Sequence, residues 1–249
     1  MAYINGHKIL LPPKIDIINH TFIDTTQKDI DKILDGTATH IKSGVTNIKG
    51  WNSATCTSLV EVDLPNITEI KESQFISLNK LETVIAPKVQ MLGMQSFRWC
   101  EALKSAKFPE ALSLGAMSFY GCSSLEEAEF PKLPVIEYFT FLGCSNLKSF
   151  DFSSTERIGE GAFQNCVSLN FNKIRAVTIE KDAFYGCSSL TEITFTNKPQ
   201  SIHESAFLHC TNLLTINVPW GKGEVAGDNG GSSPWGASKA TVNYNYKEE

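Results

Sequence analysis

Seven cysteines and five histidines are the residues of this 249-residue chain best suited to chemistry. The cysteines stand at Cys56, Cys100, Cys122, Cys144, Cys166, Cys187 and Cys210. As thiolates they could form a metal or redox ladder, but no two make a Cys-x-x-Cys pair. Their spacing consists of three steps of 22 residues, one of 21, one of 23 and one of 44, with Leu78 at the midpoint of the longest. A metal needs its ligands at one point, whereas even steps spread them along an axis. Free cysteine also behaves as a small apolar side chain, and a buried column is the reading that fits a fixed step. Disulfides between neighbouring steps are within reach by distance, yet seven thiols cannot all pair, and reduced thiols suit a chain that is not exported.

His7, His20, His40, His203 and His209 are scattered, and only the last two share one step of the pattern. No phosphate-binding Gly-x-x-x-x-Gly-Lys-Ser, zinc-protease His-Glu-x-x-His, Gly-x-Ser-x-Gly elbow or dinucleotide Gly-x-Gly-x-x-Gly is present. Gly227-Asp228-Asn229-Gly230 resembles the start of a calcium loop but lacks the later ligands, so a plain turn is expected. These observations point to a non-enzymatic chain without cofactor or metal.

The chain is 42% hydrophobic with a net charge of −5. That balance argues against a nucleic-acid partner, which needs clustered Lys and Arg. No apolar run is long enough to span a membrane, so no membrane insertion is expected. The opening MAYINGHKILLPPKIDI has no basic, apolar and cleavage regions of a secretory leader, and synthesis in the cytosol is the expectation.

The cysteine step is the period of a repeat that must position everything else. Three residues before each origin stands Phe75, Phe97, Phe119, Phe141, Phe163, Phe184 or Phe207, with Ser53 in the first unit. Three residues after it stands Leu59, Leu81, Leu103, Leu125, Leu147, Leu169, Leu190 or Leu213. Apolar residues follow at plus six and plus eight, then proline at plus nine in Pro65, Pro87, Pro109, Pro131 and Pro219. Ser153, Arg175 and Thr196 replace that proline in three units. An aliphatic residue at about plus fourteen (Ile70, Leu92, Leu114, Ile136, Ile158, Ile179, Ile202) completes the unit. A unit this short cannot bury its own apolar ring, so successive coils must stack. The plus-three to plus-eight segment alternates as one short strand, and strands of neighbouring coils must pair in parallel.

The phrase A-F-x-x-C-x-S-L-x-x-I-x-F-P, clearest at Phe119–Phe141 and Ala183–Phe207, resembles the leucine-rich repeats of the BspA type. The resemblance implies a mainly β, right-handed leucine-rich-repeat solenoid of about eight coils over residues 48–219. Residues 1–47 read as an N-terminal α/β cap with short strands and a helix at 26–35, and residues 220–249 as a Gly-rich loop and a C-terminal β cap. Trp220 and Trp235 are placed to close the open end, and residues 170–178, where the pattern loosens, to bend the sheet. The same resemblance implies adhesion to a protein or cell-surface glycan ligand, as in a bacterial surface adhesin. The opening MAYINGHKIL, the segment DIDKILDGTATHIKSGV and the closing VPWGKGEVAG…SPWGASKATVNYNY resemble segments framing such repeats in phage and prophage structural proteins. That likeness implies a virion-associated role and a homo-oligomer or virion assembly.

With plus six and plus eight inward, plus five and plus seven face outward. Those positions hold Glu61 and Asp63, Thr83 and Ile85, Ser105 and Lys107, Glu127 and Glu129, Ser149 and Asp151, Phe171 and Lys173, Glu192 and Thr194, and Thr215 and Asn217. Glu61, Asp63, Ser105, Lys107, Glu127, Glu129, Ser149, Asp151, Glu192 and Thr194 are therefore the candidate binding residues, on a face that carries six acids and two lysines. Arg98, Trp99 and Tyr120, beside the origin, form an alternative edge patch.

Overall fold

The computed structural model describes the strand segments at 2–4, 7–9, 15–16 and 21–22 and residues 39–46, 48, 53–227 and 233–247. The helix expected at 26–35 lies outside these residues. The chain is mostly β, without an α-helix among the described residues, and its parallel sheets form a β-solenoid of about nine turns.

Each coil has three sides. On the strand side, alternation sends one residue in and the next out: Glu127 is exposed, Ala128 buried and Glu129 exposed. Neighbouring strands pair in register one period apart, as in Ser105↔Glu127, Ala106↔Ala128 and Lys107↔Glu129. On the second side, two-residue strands pair likewise, Met91–Leu92 with Ser113–Leu114 and Val135–Ile136 with Arg157–Ile158. Coils approach closely at this corner: a Cβ added to Gly115 would stand 2.3 Å from the Met94 backbone nitrogen.

The third side is a ladder of turns. In it two residues four apart take positive φ, Gln95 and Trp99 in one coil and Met117 and Gly121 in the next. This turns every second N–H toward the following coil, as in Phe97 N–H to the Ser118 carbonyl (2.7 Å) and Phe119 N–H to the Thr140 carbonyl (2.9 Å). The Phe rings below stack without a break from Phe75 to Phe207, with centroids 5.1–5.5 Å apart and planes within 14° of parallel. The leucines at plus three, Leu59 to Leu213, form a second column, each at most 1% exposed.

All seven cysteines are free and buried. From Cys100 onward each Sγ donates to the carbonyl of the Phe one coil back and three residues before it, as in Cys122 to Phe97 (3.1 Å) and Cys144 to Phe119 (3.2 Å). Cysteine fits this place because it is small and apolar yet still carries a donor for a buried carbonyl. Burial pushes the Cys100 and Cys210 thiols up to about 12 and those of Cys122, Cys144, Cys166 and Cys187 well above the ordinary thiol range.

The parallel sheet starts ahead of residue 48: His40–Lys42 pairs with Glu61–Asp63 in the register of the coils. At the other end Thr241–Asn243 pairs with Thr215–Asn217. Trp220 and Trp235 are buried there with Phe195 between the array and the tail, and the Trp235 indole N–H donates to the Ala226 carbonyl at 2.8 Å.

Candidate functional site

The strand face is not uniform. Toward the N-terminal end Asp63 is 8% exposed rather than free in solvent, because Lys42 of the preceding strand reaches it at 2.7 Å. That ion pair raises the Lys42 pKa, through its hydrogen bond to Asp63 first. Toward the C-terminal end Thr194 is 9% exposed and its hydroxyl accepts from the Asn217 amide at 3.1 Å. The same amide donates to Glu192 at 2.6 Å, and the Asn243 side-chain amide donates to the Asn217 Oδ1 at 2.8 Å. Asp63 and Thr194, expected to be available to a ligand, are thus committed to cross-coil pairs within the chain.

The middle of the face is open. Glu127, Glu129, Lys107, Ser149 and Asp151 are exposed, while Ser105 and Glu61 are half-buried. Lys107 lies between Glu127 (2.7 Å) and Glu129 (2.8 Å). The two carboxylates hold the Lys107 pKa above its ordinary value, Glu127 first, and Lys107 in turn holds the Glu127 carboxyl below the usual range. One lysine therefore offsets much of the acidity that the residue types imply.

Phe171 departs from the expected outward position: it is 8% exposed and packs on Phe152 at 4.6 Å. In that coil Phe171 and Ile174 point in, and Asn172 and Lys173 point out. A ring left in solvent would forfeit roughly 2 kcal/mol of burial, which is reason enough for the strand to shift its alternation. The consequence is a local opening of the sheet. Lys173–Ile174 pairs with Thr194–Phe195 on one side, and no strand pairing among the described residues joins it to the Asp151 coil on the other. A groove of about 380 Å³ fills the gap, lined by Phe150, Asp151, Phe152, Ser153, Phe171, Asn172, Lys173, Ile174, Arg175 and Thr196. Asp151 folds its carboxylate back onto the Ser153 N–H at 2.9 Å, which ends the strand there. The three positions without proline at plus nine, Ser153, Arg175 and Thr196, all lie on this groove. The sequence signal for the groove was those substitutions, together with the loosened pattern at 170–178.

The edge patch is a packed cluster. The Arg98 guanidinium lies 4.0 Å from the Trp99 ring centroid and 5.1 Å from that of Tyr120, and the two rings meet edge to face at 6.2 Å. Trp99 is 41% exposed, but Arg98 covers one of its faces. Among the described residues no group of three or more His, Cys, Asp or Glu side chains is placed to hold a metal ion, and no helix is long and apolar enough to cross a membrane.

A family profile described as "BspA type Leucine rich repeat region (6 copies)" matches residues 35–133 and 113–226. Among solved structures, a leucine-rich repeat protein of T. pallidum is similar, with 22% identity, 78% of this chain and 82% of that chain covered, and a TM-score of 0.55. A leucine rich cell surface protein of Faecalibacterium prausnitzii is 17% identical over 84% of each chain with a TM-score of 0.35. No curated protein matches the chain. The periodic Phe, Cys and Leu columns, the paired strands and a profile covering most of the sequence together establish that the chain belongs to the BspA-type leucine-rich repeat family.

Proposed function

We propose that the chain is a non-catalytic recognition module, and that it meets its partner, a protein or glycan at a cell or particle surface, on the open middle of the strand face. The observation that carries this reading is the groove beside Asp151. It is the place where the repeat gives up both its proline and its strand pairing, and departures from an otherwise consistent pattern concentrate where a chain works rather than merely folds. Exposed polar positions on a regular sheet are also where stacked repeats bind. The family supports a binding role, while the partner must be read from the site itself.

The test uses glycan and peptide arrays probed with the labelled chain. A triple variant, Asp151→Ala, Lys173→Ala and Arg175→Ala, should lose binding while its melting temperature falls by no more than about 5 °C, the cost of the Asp151 hydrogen bond and an exposed pairing. Time-dependent cleavage of an array member, or binding indifferent to the triple change, would overturn the reading. The likeness of the end segments to phage and prophage proteins favours a particle as the setting over a bacterial cell surface. Mass spectrometry of purified particles from the producing host should then detect the chain, and its absence from them would return the adhesin setting.

A further inference from the structure

The turn ladder carries two departures from the repeat in adjacent residues. From Ser77 to His209 the residue just before each origin has positive φ, and Gly121, Gly143 and Gly186 fill that position in three coils. Trp99 holds it at φ 60°, a conformation that a bulky side chain rarely takes. Its indole lies where the next coil is glycine: a Cβ added to Gly121 would stand 2.5 Å from the Trp99 Cδ1. Beside it, Arg98 stands where other coils place Ile76, Leu142 and Leu208. The Arg98 guanidinium touches only the rings of Trp99 and Tyr120. Among the described residues no hydrogen bond or ion pair engages its side chain, and its Nε–H is buried without an acceptor. The other half-buried arginine, Arg157, is held by Glu137 at 2.8 Å and by Glu180 at 3.1 Å. A half-buried cation without a counter-ion is costly, and two ring contacts recover only part of that cost. Strain and an unanswered buried donor in one cluster mark a place where a ligand supplies the missing partner.

The cluster also defines the chemistry of that ligand. A guanidinium fork takes a carboxylate through two parallel bonds. The part of the Trp99 indole that Arg98 leaves uncovered is a flat apolar platform with an N–H at its edge. The main chain around the cluster is already committed: Trp99 N–H donates to the Tyr120 carbonyl at 2.7 Å and Gly121 N–H to the Leu142 carbonyl at 2.8 Å. An extended peptide finds no strand edge here, so recognition falls to side chains. Two residues past Gly121, Ser123 is half-buried, and its hydroxyl has no partner among the described residues. A fork for a carboxylate, a platform for a flat C–H face and a free hydroxyl together match an acidic sugar.

We propose that Arg98, Trp99 and Tyr120 form a second binding site, for an acidic sugar (a hexuronate or sialate residue) of a surface glycan. The sugar carboxylate takes the Arg98 guanidinium, its C–H face rests on the open part of the Trp99 indole, and Ser123 bonds a ring hydroxyl. Tyr120 and Trp99 hold the guanidinium in place before the ligand arrives, so little ordering is left for binding to supply. The site stands on the turn side of the coils and does not rest on the reading of the strand-side groove.

The experiment titrates sialyllactose and a glucuronate-containing disaccharide, each beside its neutral carboxamide, into the ¹⁵N-labelled chain. The Trp99 indole N–H and Arg98 Nε–H signals are read. At least one of the acidic sugars should shift both signals, and its carboxamide should bind about tenfold more weakly. Arg98→Lys should weaken binding about tenfold, because an ammonium cannot replace the stacked fork. Trp99→Gly, which installs the residue of the next coil, should keep the parent amide spectrum away from this turn and abolish binding. The triple variant at the groove should bind these sugars as the parent does. The inference is overturned if neither acidic sugar shifts the two signals, if the carboxamides bind equally well, or if Arg98→Lys or Trp99→Gly binds like the parent. Acidic peptides shifting those signals where the sugars do not would overturn the saccharide assignment. Loss of sugar binding in the groove variant alone would overturn this site and leave the groove standing.

Discussion

Replacing Phe119 by alanine tests the packing on which the binding face depends. The ring is fully buried and sits between Phe97 (5.3 Å, 10°) and Phe141 (5.4 Å, 5°), with Phe108 and Phe130 at 6.3 and 5.7 Å. Deleting a core phenylalanine costs about 3–5 kcal/mol in transfer and cavity terms. Phe207, at the end of the column, stacks on Phe184 alone among the described aromatic neighbours. Each ring pair adds about 0.5–1.5 kcal/mol beyond area, so Phe119→Ala should exceed Phe207→Ala by about 1–2 kcal/mol after partial relaxation. For a chain of this size the Phe119→Ala loss lowers the melting temperature by roughly 6–20 °C. Urea denaturation followed by far-ultraviolet circular dichroism measures both variants. A loss for Phe119→Ala below about 1 kcal/mol, or a larger loss for Phe207→Ala, would refute the continuous stack.

Three further outcomes follow from other parts of the fold. The buried thiols keep their protons to about pH 12 at Cys100 and Cys210, whereas unfolded thiols lose them from about pH 8.5, so stability is full below that value and falls as pH rises toward 12. The urea midpoint should therefore drop between pH 8 and 10, and less steeply once Cys144 and Cys166 are alanine; a flat midpoint in the parent chain would contradict this. Changing Glu127 and Glu129 together to glutamine should leave the melting temperature within about 2 °C, since both are exposed; a fall of many degrees would mean that they face inward. Gly115→Ala forces a Cβ to 2.3 Å from backbone of the neighbouring coil and should cost about 1–3 kcal/mol by denaturation, and a neutral result would contradict that close approach.

Much of this architecture is legible in the residues. The cysteine step, the invariant leucine at plus three and the phenylalanine at minus three place three columns correctly because each coil repeats the same contacts with the next. What a fixed period misses are contacts that differ from coil to coil. Asp63 turned to Lys42, a residue of a strand that carries none of the repeat's markers. Thr194 found Asn217, which in turn holds Asn243 of the tail, a partner no local pattern announces. Phe171 slipped inward because an aromatic ring gains more from burial than the sheet loses from one interrupted pairing. The missing prolines did mark the groove, but a substitution at plus nine says only that the strand can end differently, not that the two coils part. The acidity of the strand face was likewise overstated by residue type alone, since position decides that Lys107 sits between two of the acids.

The coils pile along one axis with the strand side facing out. Spin labels at Glu61 and Thr215, equivalent positions on that face, measure this directly by pulsed electron resonance. Seven coil-to-coil steps of about 4.8 Å place their backbones roughly 34 Å apart. One distribution centred near that separation, widened by the label arms, is the predicted result, and a centre below about 20 Å, the span of only some four steps, would contradict the stack.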